Sequence, residues 1–586
     1  MEWMDFNKFF NKNLNRLIFS ILITVAAFVF MNVITQTVFF INDDTNIMYT
    51  VAGYYTNLPA DHPFINVCLS YFFQFLYTLN KTIPWYGVFH VIVTLFSITM
   101  IIKVIFDNCY KKRIGFCFTF LLILLNLVIL FIYPITLMQF TTTSALIGTA
   151  GIALLYENSF VRNKKNIIGI LLSIICVLLS YMYRKNSAYI IIAFWGITFF
   201  YKVILTTEDI TIKNLKKYIA VLLISILSLG VVIGVNKLVR SSNEWDNYYK
   251  FDYARFHVQD YPHDYASDNP QLYEDIGWNS GLCDLTGYGT WSYFMMDQNI
   301  NVETLTKIAE TTKNSNKTLL EKISTSIESC YKTENMSLII GVFFLSLLIV
   351  FCIAEKKLKF TAKNKLNILF VVTISLMYII FFFYLCIKER IPFRAFQSIS
   401  LPAGFLLNVG IIQMLEGLKF IKNKPILLIM SILLCVSMIQ VIPETKALAD
   451  DRYEKSKYTL AVEKYVIENP DNFYVYDTSL TFRYNPFVTY INKRPTNMMY
   501  WGGMGWKSPA YYSQLKLNGF DELYSDKLFN SNVYYVTNND FYLDKERTVR
   551  VFDVFNNYMH VTYGNISVSE VDCIGNGIYV YKFEKQ

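Results

Sequence analysis

Apolar runs of about twenty residues recur from Leu17 to Ile442, separated by short polar loops, and two long polar stretches, 237–335 and 443–586, are large enough to fold on their own. The runs predict helices at 17–41, 85–106, 114–133, 139–156, 167–183, 187–205, 218–236, 336–354, 366–387, 396–418 and 425–442, eleven spans in all. A twelfth apolar stretch, 64–79, is short and interrupted by Asn66, Ser70 and Gln74, and is read as an interfacial helix on the outer leaflet. Past Pro443 the pattern changes. Glu454 to Glu468 has helical spacing, and aromatic and β-branched runs follow at Phe473–Tyr476, Val533–Val536 and Ile578–Phe583, separated by Asn, Asp and Gly. The fold expected is an α-helical polytopic membrane domain over 1–442, which includes the loop 237–335, and an extracytoplasmic α/β domain over 443–586.

Loop charge sets the orientation. Lys8, Lys12 and Arg16 precede the first span, and with 64–79 kept out of the count the basic loops at 162–165, 213–217, 356–365 and 419–424 all fall on the cytoplasmic side. Both large polar segments then lie outside, and the N-terminus inside, as a retained anchor. Composition agrees: of 586 residues 54% are hydrophobic and 17% charged, more apolar surface than a soluble domain tolerates. The net charge of +8 is spread over many loops without a basic aromatic platform, which argues against a nucleic-acid partner. Among the ten cysteines seven lie in or beside apolar runs and no CxxC pair occurs, so thiol chemistry is not expected; Cys283 and Cys330 share one outer loop and are a candidate disulfide.

Chemistry-bearing residues crowd the outer rim. Asp43 and Asp44 follow the first span, where partial desolvation can raise a carboxylate pKa to suit a general base; helix capping is the competing role. Arg184 and Lys185 lie between the fifth and sixth spans, and Lys388, Arg390 and Arg394 between the ninth and tenth. Basic residues in short outer loops run against the orientation rule, which favours phosphate binding over simple anchoring by snorkelling. His257, Asp260, His263 and Asp264 cluster beyond the seventh span without a recognised zinc spacing, so a solvated loop is the stronger reading there. Trp501-Gly-Gly-Met-Gly505-Trp506 lacks the spacing of a phosphate loop, and its tryptophans are either sugar-stacking groups or a packed turn.

Asn42-Asp43-Asp44, a short helix ending near Gly53-Tyr54, Pro59-Ala-Asp61-His62-Pro63 and Trp85-Tyr86 together resemble the opening module of GT-C glycosyltransferases, and more narrowly of uncharacterised polytopic GT-C-like proteins of Gram-positive bacteria. The resemblance covers roughly the first 240 residues well and the rest loosely. It implies an inverting transfer of a hexosyl or pentosyl group from a polyprenyl-phosphate donor to a cell-envelope glycan on the outer face, with Asp43 or Asp44 as base. Arg184, Lys185, Arg390 and Arg394 would then bind the donor phosphate, and His62, His257, Trp501 and Trp506 would serve the acceptor. Some GT-C relatives hold a divalent metal, for which Asp43, His257 and His263 are the candidate ligands. His62 departs from the Lys or Glu that several branches carry near this Pro, which leaves the metal question open. A lipid-linked glycan flippase and an O-antigen ligase or polymerase are the alternatives; against the first, the spans are almost free of charge. Cysteine labelling in intact cells tests the topology: a thiol placed at residue 500 reacts with an impermeant reagent from outside, whereas labelling from the cytoplasmic side alone would overturn the eleven-span order.

Overall fold

The computed structural model describes residues 10–586 except 55, 57–58, 159–163, 207–211, 262, 265–267, 278–295, 312–317, 334, 356–360, 389–390, 416–423, 478, 481–483, 489–493, 502–504 and 545–547. Among the described residues, nine helices are long and apolar enough to cross a membrane. In chain order the helical part comprises α1 (Asn13–Ile34), strand β1 (Val38–Phe39), α2 (Asn42–Ala52), α3 (Val67–Leu79), α4 (Trp85–Lys111), α5 (Phe116–Thr136, with a π segment at Leu127–Phe131), β2 (Leu137–Met138), α6 (Phe140–Glu157), α7 (Lys164–Tyr183), α8 (Lys185–Thr206) and α9 (Ile212–Val239). After the large loop come α10 (Asn335–Glu355), α11 (Ala362–Ile387), α12 (Phe393–Met414) and α13 (Lys424–Glu468). Two of the eleven expected spans are therefore helices outside the nine: α6, which carries Thr141, Thr142, Thr143 and Ser144 and is buried from Phe140 to Tyr156, and α10, apolar over Ile339–Phe351.

Charged pairs mark both ends of the bundle. At one end Arg16 bonds Asp107, Lys103 meets Asp107 at 2.6 Å, Lys111 meets Glu157 at 2.6 Å and Gln413 donates to Asn108 at 2.9 Å. The other end holds α2, Arg184, Arg394 and the C-terminal sheet. Helix α3, capped by the Asn66 side chain on Cys68 N–H, buries Leu69, Phe73 and Tyr77 and exposes Tyr71, Phe72, Phe75 and Leu79. That apolar outer face is the geometry an interfacial helix requires.

Two boundaries differ from expectation. The first span stops at Ile34, not 41, because the β-branched stretch after it runs extended and pairs β1 with β2 in parallel, Val38 opposite Leu137 and Phe39 opposite Met138. The helix expected at Glu454–Glu468 is the far end of α13, which passes through Pro443 unbroken. Pro443 removes one N–H from the ladder, and Lys455–Asp451 and Lys457–Glu454 pairs at 2.8 and 2.7 Å support the polar half.

The C-terminal sheet has the order β4-β3-β5-β9-β8, with β3 (Phe473–Tyr476), β4 (Met498–Tyr500) and β5 (Val533–Asn538) parallel, and β8 (Ile566–Gly575) and β9 (Ile578–Lys585) an antiparallel hairpin. The three strands foreseen from the aromatic runs are all present. Asn576 and Gly577, at φ 54° and 73°, make the two-residue turn of that hairpin. The loop 237–335, expected with the membrane domain, shares a core with this sheet: Phe251, Ala254, Val258, Met296 and Leu305 pack with Phe473, Trp501, Trp506 and Phe555. Cys283 lies outside the described residues, and with it the candidate disulfide.

Arg240, just past α9, ties the loop before α3 to the bundle. Its guanidinium holds Asp61 at 2.6 and 2.7 Å and donates to the carbonyls of His62, Pro63 and Ile65. Replacing Arg240 by Ala strands a nearly buried carboxylate and three carbonyls, and the expected cost is about 3–5 kcal/mol in thermal unfolding of the detergent-solubilised chain. Asp61→Asn together with Arg240→Met recovers most of that loss; equal instability of the single and double variants would contradict this account.

Candidate functional site

Helix α2 carries the acidic pair and is fixed from four sides. Phe40 N–H donates to Met138 O at 2.9 Å, continuing the β1–β2 pairing to the helix start. Tyr49 Oη donates to Glu463 of α13 at 3.1 Å, and Tyr54 Oη to Val488 O at 2.9 Å. The helix ends on Gly53, at φ 69°, whose carbonyl accepts from Arg494. A left-handed residue is required there, and glycine takes it without a Cβ clash.

Within the first turn the two acids diverge. Asp44 is completely buried, and its Oδ1 accepts from Tyr86 Oη and from Phe140 N–H, each at 2.9 Å, with His90 Nε2 at 3.9 Å. The capping role is therefore real but lies elsewhere than expected: Asp44 caps the first N–H of α6, not of its own helix. Among the described residues its Oδ2 has no hydrogen-bond partner. Burial, and then the neighbouring Asp43 charge, raises the Asp44 pKa well above the usual carboxylate range. Raised in this way, the pKa favours the protonated form of an acid whose Oδ1 takes both accepted bonds.

Asp43 faces the other way, toward Arg394 at the start of α12, with Oδ2 and Nη1 3.9 Å apart and the Arg394 side chain 27% exposed. The two groups thus meet much more closely than the separation of about 10 Å that a sugar between them requires. Arg184 stands over Phe140 at 5.2 Å and Phe64 at 5.6 Å, beside the residue that Asp44 caps. A Ser187–Ser398 bond at 3.1 Å joins the N-terminal parts of α8 and α12, which carry Lys185 and Arg394. Lys185 is exposed at the same end, and Arg390 lies outside the described residues.

A second feature adjoins the acids. Asn46 and Thr50 follow Asp43 by three and seven residues, one face of α2, and line a cleft of about 620 Å³ of empty space, open on one side, against the C-terminal sheet. His62, Trp506, Ser508 and Tyr511 line it from other elements, and Tyr476 and Tyr500, the last residues of β3 and β4, close its floor. Burial, and then the charge of Arg240, pushes the His62 pKa down to about 3. Its Nδ1 accepts from Phe64 N–H at 3.3 Å, so the neutral ring carries its proton on Nε2.

The remaining sequence candidates separate. Trp501 is fully buried against Tyr535 and Phe555 and is a core residue, not a sugar platform. His257 lies between Tyr253 and Tyr261 on an exposed helix face, its Nδ1 on Tyr253 O at 2.8 Å, and His263 lies beside Tyr261 O. Among the described residues no three His, Cys, Asp or Glu side chains gather as metal ligands, so Asp43, His257 and His263 do not fit a shared ion. Arg240, Asn46 and Thr50 went unnoticed in the sequence; the spacing from Asp43 would have found the last two.

No family model matches the chain, and no curated protein matches it. Solved structures of ArnT from Cupriavidus metallidurans, in the apo state and bound to undecaprenyl phosphate, are similar to it at 10% identity, with TM-scores of 0.38 and 0.37, over 96% of this chain and 97% of each of theirs.

The raised Asp44 pKa sets a pH dependence. The folded chain keeps a proton that the unfolded chain releases above about pH 4, so this group's penalty on folding grows as pH rises from there. Asp44→Asn, which keeps the accepting oxygen, is expected to gain in thermal midpoint relative to wild type between pH 5 and pH 8; a gap that narrows with rising pH would contradict a neutral Asp44.

Proposed function

We propose that the chain is an inverting glycosyltransferase of GT-C type, akin to the polytopic Gram-positive proteins it resembles, which moves a sugar from a polyprenyl-phosphate donor to a cell-envelope glycan on the outer face of the membrane. The observation that carries this reading is the meeting of a carboxylate and a guanidinium, Asp43 and Arg394, at one end of an apolar helical bundle. Inversion needs a base for the acceptor hydroxyl proton and a cation for the departing phosphate. These two side chains supply both.

In this scheme Asp43 is the base and Asp44 the residue that positions it. Without donor, Arg394 stands 3.9 Å from Asp43 and occupies its carboxylate. A donor phosphate competes for the same guanidinium through charge-assisted hydrogen bonds, and the partly exposed Arg394 side chain is free to follow it. Binding of the lipid then frees the base where the anomeric carbon arrives. Arg184 and Lys185, on the neighbouring loop, complete a cationic rim for the phosphate.

Mass spectrometry of envelope glycans from a deletion strain tests the proposal: one sugar is lost, and it returns with the wild-type chain but not with Asp43→Asn. With purified protein and a radiolabelled polyprenyl-phosphate sugar, Asp43→Asn lowers turnover by about 10²–10⁴-fold, whereas Asp44→Asn stays within about tenfold of wild type. Arg394→Ala raises the donor KM and lowers kcat together. Unchanged glycans in the deletion strain, or full activity of Asp43→Asn, would overturn the assignment.

A further inference from the structure

We infer that the cleft between α2 and the C-terminal sheet is the acceptor site, and that the acceptor end it takes is an uncharged saccharide with its reactive hydroxyl pointing along α2 toward Asp43. The inference rests on the transferase reading above and adds the chemical class of its second substrate.

Placement comes first. Asp43, Asn46 and Thr50 lie on one face of α2, at successive steps of about one helical turn, 5.4 Å each. A molecule bound against Asn46 and Thr50 therefore reaches the carboxylate of Asp43 with the group at its near end. The floor is made by the carboxyl ends of the parallel strands β3 and β4, the end of a parallel sheet at which ligands are bound.

Three polar groups converge there on a single point. A Cβ built on Gly505, at φ +91°, would stand 3.8 Å from Asn46 Nδ2, 3.9 Å from His62 Nε2 and 3.9 Å from Ser508 Oγ. The absence of a side chain at 505 leaves that point open. His62 is 1% exposed and, among the described residues, its Nε2 has no hydrogen-bond partner. A buried donor left without an acceptor is costly unless something fills the place. A sugar hydroxyl is an acceptor and a donor at once and gives the His62 Nε2–H the acceptor it lacks. Trp506 and Tyr511, largely buried, form the apolar part of the same wall.

The charge of the ligand follows from the lining. Among the described lining residues there is no Lys, Arg, Asp or Glu, and His62 is neutral at physiological pH because burial lowers its pKa to about 3. Lys507, next in sequence to Trp506, stands over the rings of Phe251, Trp506 and Tyr524 at 4.9–5.7 Å and is outside the lining. A phosphate or carboxylate moved into this cleft would lose hydration with no counter-charge among the described lining residues, and the Arg240 guanidinium behind His62 is already paired with Asp61. The basic rim at Arg184 and Arg394 takes the anionic substrate, and the neutral cleft takes the polyol. Gln514, whose amide donates to Met498 O at 2.6 Å, helps hold the β4 wall.

The test uses the purified full chain in lipid nanodiscs, because maltoside detergents would compete for a sugar site. Saturation-transfer NMR is run with neutral hexose trisaccharides and with the same trisaccharides carrying a 6-phosphate. Neutral sugars are expected to bind at least tenfold more tightly than their phosphates. Asn46→Leu and His62→Phe are each expected to weaken neutral-sugar binding about tenfold while binding of a polyprenyl monophosphate stays unchanged, which shows that the variants are folded. Phosphorylated sugars binding as well as neutral ones, or sugar binding unaltered in both variants, would overturn the inference. If the wild-type chain transfers sugar but the acceptor KM of Asn46→Leu is that of wild type, this inference fails and the transferase reading stands. If neutral sugars bind in the cleft and no transfer occurs with any donor, the transferase reading fails and the cleft remains a saccharide site.

Discussion

One buried carboxyl group organises the α2 end of the helical bundle. Asp44 accepts a bond from Tyr86 of α4 and another from the first N–H of α6, so α2 is locked to two membrane helices through a single oxygen. Everything else at that end takes its position from this. Asp43 can point only away from the bundle toward Arg394 because its neighbour points in, and the Asn46–Thr50 face is turned to the C-terminal sheet by the same rotation of α2. Burial gives the bonds their strength, since no water competes for them, and it also sets their cost, since it raises the acid's pKa well above the usual carboxylate range.

The second constraint is the separation of charge. An exposed-rim guanidinium and a carboxylate 3.9 Å apart form a pair that an incoming phosphate can divide, while the adjoining cleft has no charge among its described lining residues. Under the proposed reading one loop discriminates between two substrates by charge alone. Arg240 serves this arrangement indirectly. By holding Asp61 and the carbonyls of His62, Pro63 and Ile65 it fixes the imidazole at the cleft wall and lowers its basicity.

Much of this was legible in the residues, for physical reasons that differ from case to case. The apolar runs gave most of the spans because a helix needs about twenty apolar residues to cross a bilayer, and the aromatic runs gave β3, β5 and β9 because aromatic and β-branched side chains suit a pleated sheet. Asp43 and Asp44 stood out as acids at a membrane edge, yet nothing in two adjacent identical residues says which one turns inward; only the rotation of α2 decides. Trp501 and Trp506 posed the same problem five residues apart in a Gly-rich turn, and the structure buries the first in the core while the second lines the cleft. Arg240 carried no signal in the sequence, because its partners, Asp61 and the His62 carbonyl, are 179 and 178 residues away. Pro443 looked like a boundary because the composition changes there, although the helix continues through it.

The account depends most on which group the donor phosphate meets, and a cryo-EM structure of the full chain with a polyprenyl monophosphate bound answers that directly. Phosphate oxygens are expected at about 3 Å from the Arg394 guanidinium, with Asp43 released from Arg394 and facing the mouth of the cleft. A phosphate seated elsewhere on the bundle, with the Asp43–Arg394 pair intact, would contradict it.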